Sequence, residues 1–189
     1  MMNLPKLASH IQEVVLTAIR REQAWLKRHQ SSAHSDLTVV RQYEEAWIQF
    51  AIVKEFVRDP HFRRLPLKLT AEYTTDGKRA DISLYDRSWG QRPKARIELK
   101  GPAQAKPKLV KDILSDCHKL SRWSPKAKVS CVVGLAYGSQ PDICDWTNKA
   151  RRALALTSEA LQVLLPKPIR LGKVDGSTEY LQVVIVTLR

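Results

Sequence analysis

Residues 128–137 read Lys-Val-Ser-Cys-Val-Val-Gly-Leu-Ala-Tyr, a valine-rich run with almost nothing to offer water. Taken as a strand, it lacks the apolar/polar alternation of a sheet with one wet face, so it must be buried on both faces. A chain containing such a strand has to build a sheet covered by a layer on each side.

The helices that could cover it are legible upstream. From Leu4 to His29, Leu7, Ile11, Val14, Val15, Ala18, Ile19 and Leu26 recur at helical spacing. After a polar break, Ser35 or Asp36 is placed to cap a second helix, and Asp59-Pro60 stops it at about Arg58. Its expected inward stripe is Leu37, Val40, Trp47 and Ala51, with Tyr43, Phe50, Val53 and Val57 beside it.

The period then changes from 3.6 to two. Leu67, Leu69 and Ala71 alternate with Lys68, Thr70 and Glu72. Asp76-Gly77 marks a turn, Arg79 to Tyr85 a second strand, and Ala95 to Lys100 a third, ended by Gly101-Pro102. A helix from about Pro107 to Leu120, with proline in its first turn, leads to the buried strand. A helix from Asp142 to about Leu156, a short helix over Glu159 to Leu165, and a hairpin of Ile169–Val174 with Tyr180–Leu188 complete the expected order. Three sequential strands, a helix and another strand give the fold class α/β (α+β), a mixed central sheet flanked by helices. A chain of 189 residues without a composition break is expected to be one domain, residues 1–189.

Composition narrows the partners. The chain has 32 Lys and Arg against 19 Asp and Glu, a net charge of +13, which favours a polyanion. From Arg87 to Lys128 there are 12 basic and 3 acidic residues, so +9 of that charge falls in less than a quarter of the chain. No apolar run reaches the roughly 20 residues that span a bilayer, and Met1 to Ile11 does not read as a secretory leader, so no membrane partner is expected. Cys117, Cys131 and Cys144 form no C-x-x-C pair, which argues against zinc and fits a reducing, cytoplasmic setting. The five histidines do not cluster.

Two segments carry chemistry. In Arg96-Ile97-Glu98-Leu99-Lys100, strand alternation puts Glu98 and Lys100 on one face and Leu99 on the other. In the preceding strand Asp81 interrupts a hydrophobic pattern that has no other use for a charge. If the two strands are neighbours, Asp81 and Glu98 meet. Two carboxylates and the Leu99 carbonyl then suit a hard divalent cation, with Lys100 beside it to stabilise developing negative charge. Asp76-Gly77-Lys78 has the same acid-x-Lys spacing but reads as a turn.

Strand-Asp81, loop, strand-Glu98-x-Lys100, helix, buried strand resembles the PD-(D/E)XK, restriction-endonuclease-like nuclease superfamily over roughly residues 36–137, although Ala80 stands where the motif's proline would be. The resemblance implies an αβββαβ core, here with an extra N-terminal helix and a C-terminal helix plus hairpin. It implies hydrolysis of phosphodiester bonds in DNA, with RNA as the alternative, dependent on Mg²⁺ or Mn²⁺ held by Asp81 and Glu98. It also implies an auxiliary acid from the helix before the sheet. Glu44, on the expected inward stripe, is preferred over Glu45, and Glu72 is a further candidate. Arg87, Arg92, Lys94, Lys106, Lys108 and Lys111 are placed to hold the phosphate backbone. Trp89 and Trp123 could stack on bases, but packing is the better expectation for both, as it is for Trp25, Trp47 and Trp146. Cutting both strands of a duplex calls for a homodimer or a second domain. The rival expectation is a catalytically inactive protein of this fold that binds nucleic acid or a protein partner.

Overall fold

A computed structural model describes residues 4–29, 45–60, 62, 67–75, 78–86, 93–124, 126–156, 160–174 and 176–188. In chain order the elements are helices α1 (Leu4–His29) and α2 (Glu45–Arg58), strands β1 (Leu67–Thr75), β2 (Lys78–Asp86) and β3 (Ala95–Gln104), helix α3 (Pro107–Ser121), strand β4 (Val129–Ser139), helix α4 (Gln140–Ala155), and strands β5 (Ala160–Leu164), β6 (Ile169–Val174) and β7 (Ser177–Leu188). Among the described residues seven strands form a mixed sheet in the order β1-β2-β3-β4-β7-β5, with β6 also pairing with β7. β1 and β2 are antiparallel, as are β2 and β3. β4 lies parallel to β3, the pairing that a helical crossover such as α3 permits.

β4 is buried on both faces, as its composition demands. Cys131, Val133 and Leu135 join a core with Ile11, Val15, Ile48, Ile52 and Phe56 of α1 and α2. Val132 and Ala136 join the opposite core with Ile113, Cys117, Trp146 and Leu154 of α3 and α4. Trp146 is 2% exposed, the core residue that its helical spacing suggests. Among the described residues no helix is long and apolar enough to cross a membrane.

Several expectations need correction. The inward face of α2 is Ile48, Gln49, Ala51, Ile52, Glu55 and Phe56, rotated from the expected stripe. Trp47, counted as core, is 44% exposed and packs on Phe50 instead, with ring centroids 5.9 Å apart. The regular Ile48-Ile52-Phe56 spacing, and not the size of Trp47, sets the phase of the helix. Trp25 is likewise 47% exposed, standing after Gln23, the last buried position described on α1. Residues 160–164, expected as a short helix, form β5, because the edge of β7 offers Val163 and Leu164 a ladder opposite Val186 and Ile185. β3 also runs past Gly101-Pro102 to Gln104, with an irregularity between Lys100 and Ala103.

Close approach of α3 to the sheet depends on Gly134. A Cβ there would lie 2.3 Å from Ile113 Cδ1. Gly134→Ala is therefore expected to lose about 1–3 kcal/mol in urea unfolding, the usual range for overpacking. The second change Ile113→Val, which removes the clashing methyl, should recover part of that loss. A Gly134→Ala protein of unchanged stability would show that α3 rides free of this contact.

Candidate active site

The β2–β3 ladder pairs Leu84 with Ala95, Ser83 with Arg96 and Ile82 with Ile97, and ends there. One step further Asp81 and Glu98 would face each other, but the strands part. The backbone groups freed at the fork still need partners. The Leu99 N–H donates to Asp81 Oδ2 at 2.6 Å, and the Asp81 carbonyl accepts from the Gln49 side chain of α2. The fork thus brings the Asp81 carboxylate to the backbone of Glu98-Leu99-Lys100, and it retains a second oxygen.

Alternation along β3 sends Ile97 and Leu99 into the α1–α2 core. Arg96, Glu98 and Lys100 point the other way, to α3. There Lys119 Nζ donates to Glu98 Oε1 at 2.8 Å, and Lys100 Nζ pairs with Asp116 Oδ2 at 3.2 Å. Two residues one turn apart on the helix meet two residues one repeat apart on the strand. At the base of this face the Arg96 guanidinium lies 4.1 Å from the centroid of the Trp123 ring, with Lys119 Nζ 5.6 Å from the same centroid. Trp123 is 1% exposed, so it packs against cations rather than stacking on bases. The cation–ring contact offsets part of the desolvation of Arg96, whose Nη1 and Nη2 have no hydrogen-bond partner among the described residues.

Glu44, the preferred auxiliary acid, lies outside the described residues, and its alternative Glu45 faces the site. Glu45 opens α2, and its carboxylate accepts from the Gly101 backbone N–H. Burial raises its pKa, opposed by Lys100 and the Gly101 N–H and aided by Asp81 and Asp116. Burial pushes the Glu98 carboxyl up to about 7 against the pull of Lys119, with Asp81 and Asp116 adding to the rise. For Lys100, burial works downward, but Asp116, Glu45 and Asp81 outweigh it and hold the ammonium above its ordinary range. Asp81 and Asp116 act on all three of these groups, so Glu45, Asp81, Glu98, Lys100, Asp116 and Lys119 form one electrostatic cluster.

Asp116, Lys119 and Gln49 did not figure among the expected site residues. A signal existed for two of them. Asp116 lies in the buried stripe of α3 with Ile113, Cys117 and Leu120, and Gln49 lies in that of α2, so each is a polar group on an apolar face. Lys119, 40% exposed in its side chain, carries no such mark.

The basic residues fall into two places. Lys106, Lys108 and Lys111 are exposed where α3 begins, and Lys106 and Lys108 line an open depression of about 290 Å³ with Gln104 and Asp112. Lys94 precedes β3, at the far end of a ten-residue strand. Arg87 and Arg92 lie outside the described residues, as do Trp89 and the Glu72 side chain.

In comparisons with family models, with curated proteins and with solved structures, nothing matches the chain.

Proposed function

We propose that the chain is a metal-dependent nuclease of the restriction-endonuclease-like kind, hydrolysing phosphodiester bonds in DNA. The observation that carries this reading is the fork between β2 and β3, where the Asp81 carboxylate meets the backbone of Glu98-Leu99-Lys100 through its bond to Leu99 N–H. The element order from α2 through β1, β2, β3 and α3 to β4 agrees with the αβββαβ core that the resemblance implies.

The donor set suits a hard divalent cation. Asp81 and Glu98 are oxygen ligands on adjacent strands, the Leu99 carbonyl lies between Glu98 and Lys100, and Glu45 and Asp116 add negative charge. Among the described residues no group of three or more His, Cys, Asp and Glu side chains could hold a metal ion. A Mg²⁺ or Mn²⁺ ion held by Asp81 and Glu98 would therefore have to take its remaining ligands from water and phosphate. When bound, such an ion polarises the phosphate and lowers the pKa of a bound water. Lys100 stabilises the charge that develops on phosphate oxygens as water adds and the P–O bond to the leaving oxygen breaks. Asp116 positions Lys100 from the helix side and keeps it protonated. Lys106, Lys108 and Lys111 hold the backbone by charge, without reading sequence.

A second reading has its own observation. Glu98 is held by Lys119 and Lys100 by Asp116, so these two charges of the candidate site are already paired within the chain. A protein that binds nucleic acid without cutting it would look the same. Cleavage of supercoiled plasmid and of labelled single-stranded and duplex DNA and RNA, with Mg²⁺, Mn²⁺ or EDTA, separates the two. Cutting that needs the metal supports the nuclease. Tight, salt-sensitive binding with no cutting and no metal effect supports the binding protein.

A further inference from the structure

Glu98 sits at the centre of the candidate site with its side chain only 4% exposed, a depth at which an ionised carboxylate needs a cation beside it. In this structure that cation is Lys119, at 2.8 Å. The two partners are held very differently. Glu98 is fixed on β3 in the middle of the sheet. Lys119 reaches in from the last full turn of α3 on a long side chain that is 40% exposed. Its ammonium already has a second contact that does not depend on Glu98, since Nζ lies 5.6 Å from the centre of the Trp123 ring. That ring is itself fixed by burial and by the Arg96 guanidinium over it.

Resting on the proposed metal-dependent reading, we infer that Lys119 is a resident counter-ion for Glu98, which a divalent cation must displace. Once displaced, the ammonium stays beside the site, anchored near Trp123, and takes a phosphate oxygen of the substrate. A single lysine thereby couples loading of the metal to capture of the polyanion. Lys119 and the cation cannot both hold the same carboxylate oxygen, and their charges repel at close range. The competition also accounts for the presence of a lysine where the donor set calls for a metal.

The experiment is binding of Mn²⁺ to the full chain without nucleic acid, read by the loss of the free-ion electron paramagnetic resonance signal. Wild type is compared with Lys119→Met, Glu98→Gln and Lys149→Met. Lys149, ion-paired with Asp145 on the surface of α4, controls for removing one positive charge. Lys119→Met is expected to bind Mn²⁺ at least about tenfold more tightly than wild type, since removing a unit charge a few ångström from a divalent ion is worth more than that factor even with the full screening of water. Lys149→Met should match wild type, and Glu98→Gln should lose binding. In Ca²⁺, a duplex oligonucleotide should bind Lys119→Met about threefold to tenfold more weakly than Lys149→Met, the size of one lost phosphate contact. If wild type binds Mn²⁺ through Glu98 but Lys119→Met binds it equally or less well, the counter-ion role is wrong and the metal site stands. If Mn²⁺ binds none of the four proteins at millimolar concentration, the inference and the metal-dependent reading fall together.

Discussion

A Glu98→Gln variant is expected to be more stable than the wild type at pH 8 in EDTA, and to cut no nucleic acid. The stability half follows from burial. The carboxyl is 3% exposed and its pKa stands at about 7 in the folded chain against an ordinary 4.5. A carboxyl raised on folding makes the native state bind more protons than the unfolded state between those two values. Stability therefore falls as pH rises through this window, and the full deficit is present above about pH 7. At 1.36 kcal/mol per pKa unit, ionised Glu98 costs the fold about 3 kcal/mol. Glutamine keeps the shape and drops the charge, and the pull of the half-exposed Lys119 is already contained in that pKa. Urea unfolding of both proteins should show a gap of about 2–3 kcal/mol at pH 8 that closes towards pH 4.5. A variant less stable than wild type at pH 8 would show that the Lys119 pair, not desolvation, dominates. The activity half follows from the proposed role, because an amide is a far weaker ligand for a hard cation than a carboxylate. Gain of stability with loss of cutting is the pattern of a residue kept for function against the interest of the fold.

Gly101→Ala is expected to lose most of the stability of the domain. Gly101 has φ +93°, a conformation that side chains rarely adopt. A Cβ there would lie 2.5 Å from the Leu135 carbonyl oxygen of β4 and 2.9 Å from the Ala103 nitrogen. Both obstacles are backbone, so neither can yield by changing rotamer. Strain of about 1–3 kcal/mol at the dihedral adds to the steric term, so a loss of at least about 4 kcal/mol is expected. That is a large share of the 5–15 kcal/mol typical of a domain. The same residue presents its N–H to Glu45, so any folded fraction should also have the helix acid displaced. Circular dichroism during thermal unfolding is the check. A melting temperature within about two degrees of wild type would mean that the chain around Lys100–Ala103 can be rebuilt without glycine.

What could be read in advance, and what could not, divides by the range of the interaction. The strands were legible because period-two alternation and the all-apolar β4 are local patterns, and the facing of Glu98 and Lys100 follows from alternation alone. Asp81 could be singled out because a charge in an apolar strand has to be explained. The partners across layers were not legible. That Lys119 meets Glu98 depends on how far α3 slides along β3, which is set by Gly134 admitting Ile113 and by Trp123 closing over Arg96. No pattern within α3 encodes that offset. The place of Glu45 at the site was not legible, because the phase of α2 is set by Ile48, Ile52 and Phe56 rather than by Trp47. Residues 160–164 became a strand because an edge of β7 was waiting for them, a fact written elsewhere in the chain.

The most direct test of the central claim compares wild type, Asp81→Ala and Lys100→Ala on supercoiled plasmid in Mg²⁺, Mn²⁺ and EDTA, with DNA binding measured in parallel. Metal-dependent cutting by the wild type is expected to fall by at least about 10²–10³-fold in each variant while binding changes little, as for removal of a ligand or of a charge-stabilising donor. No cutting by the wild type, or cutting that both variants retain, would contradict a nuclease built on Asp81, Glu98 and Lys100.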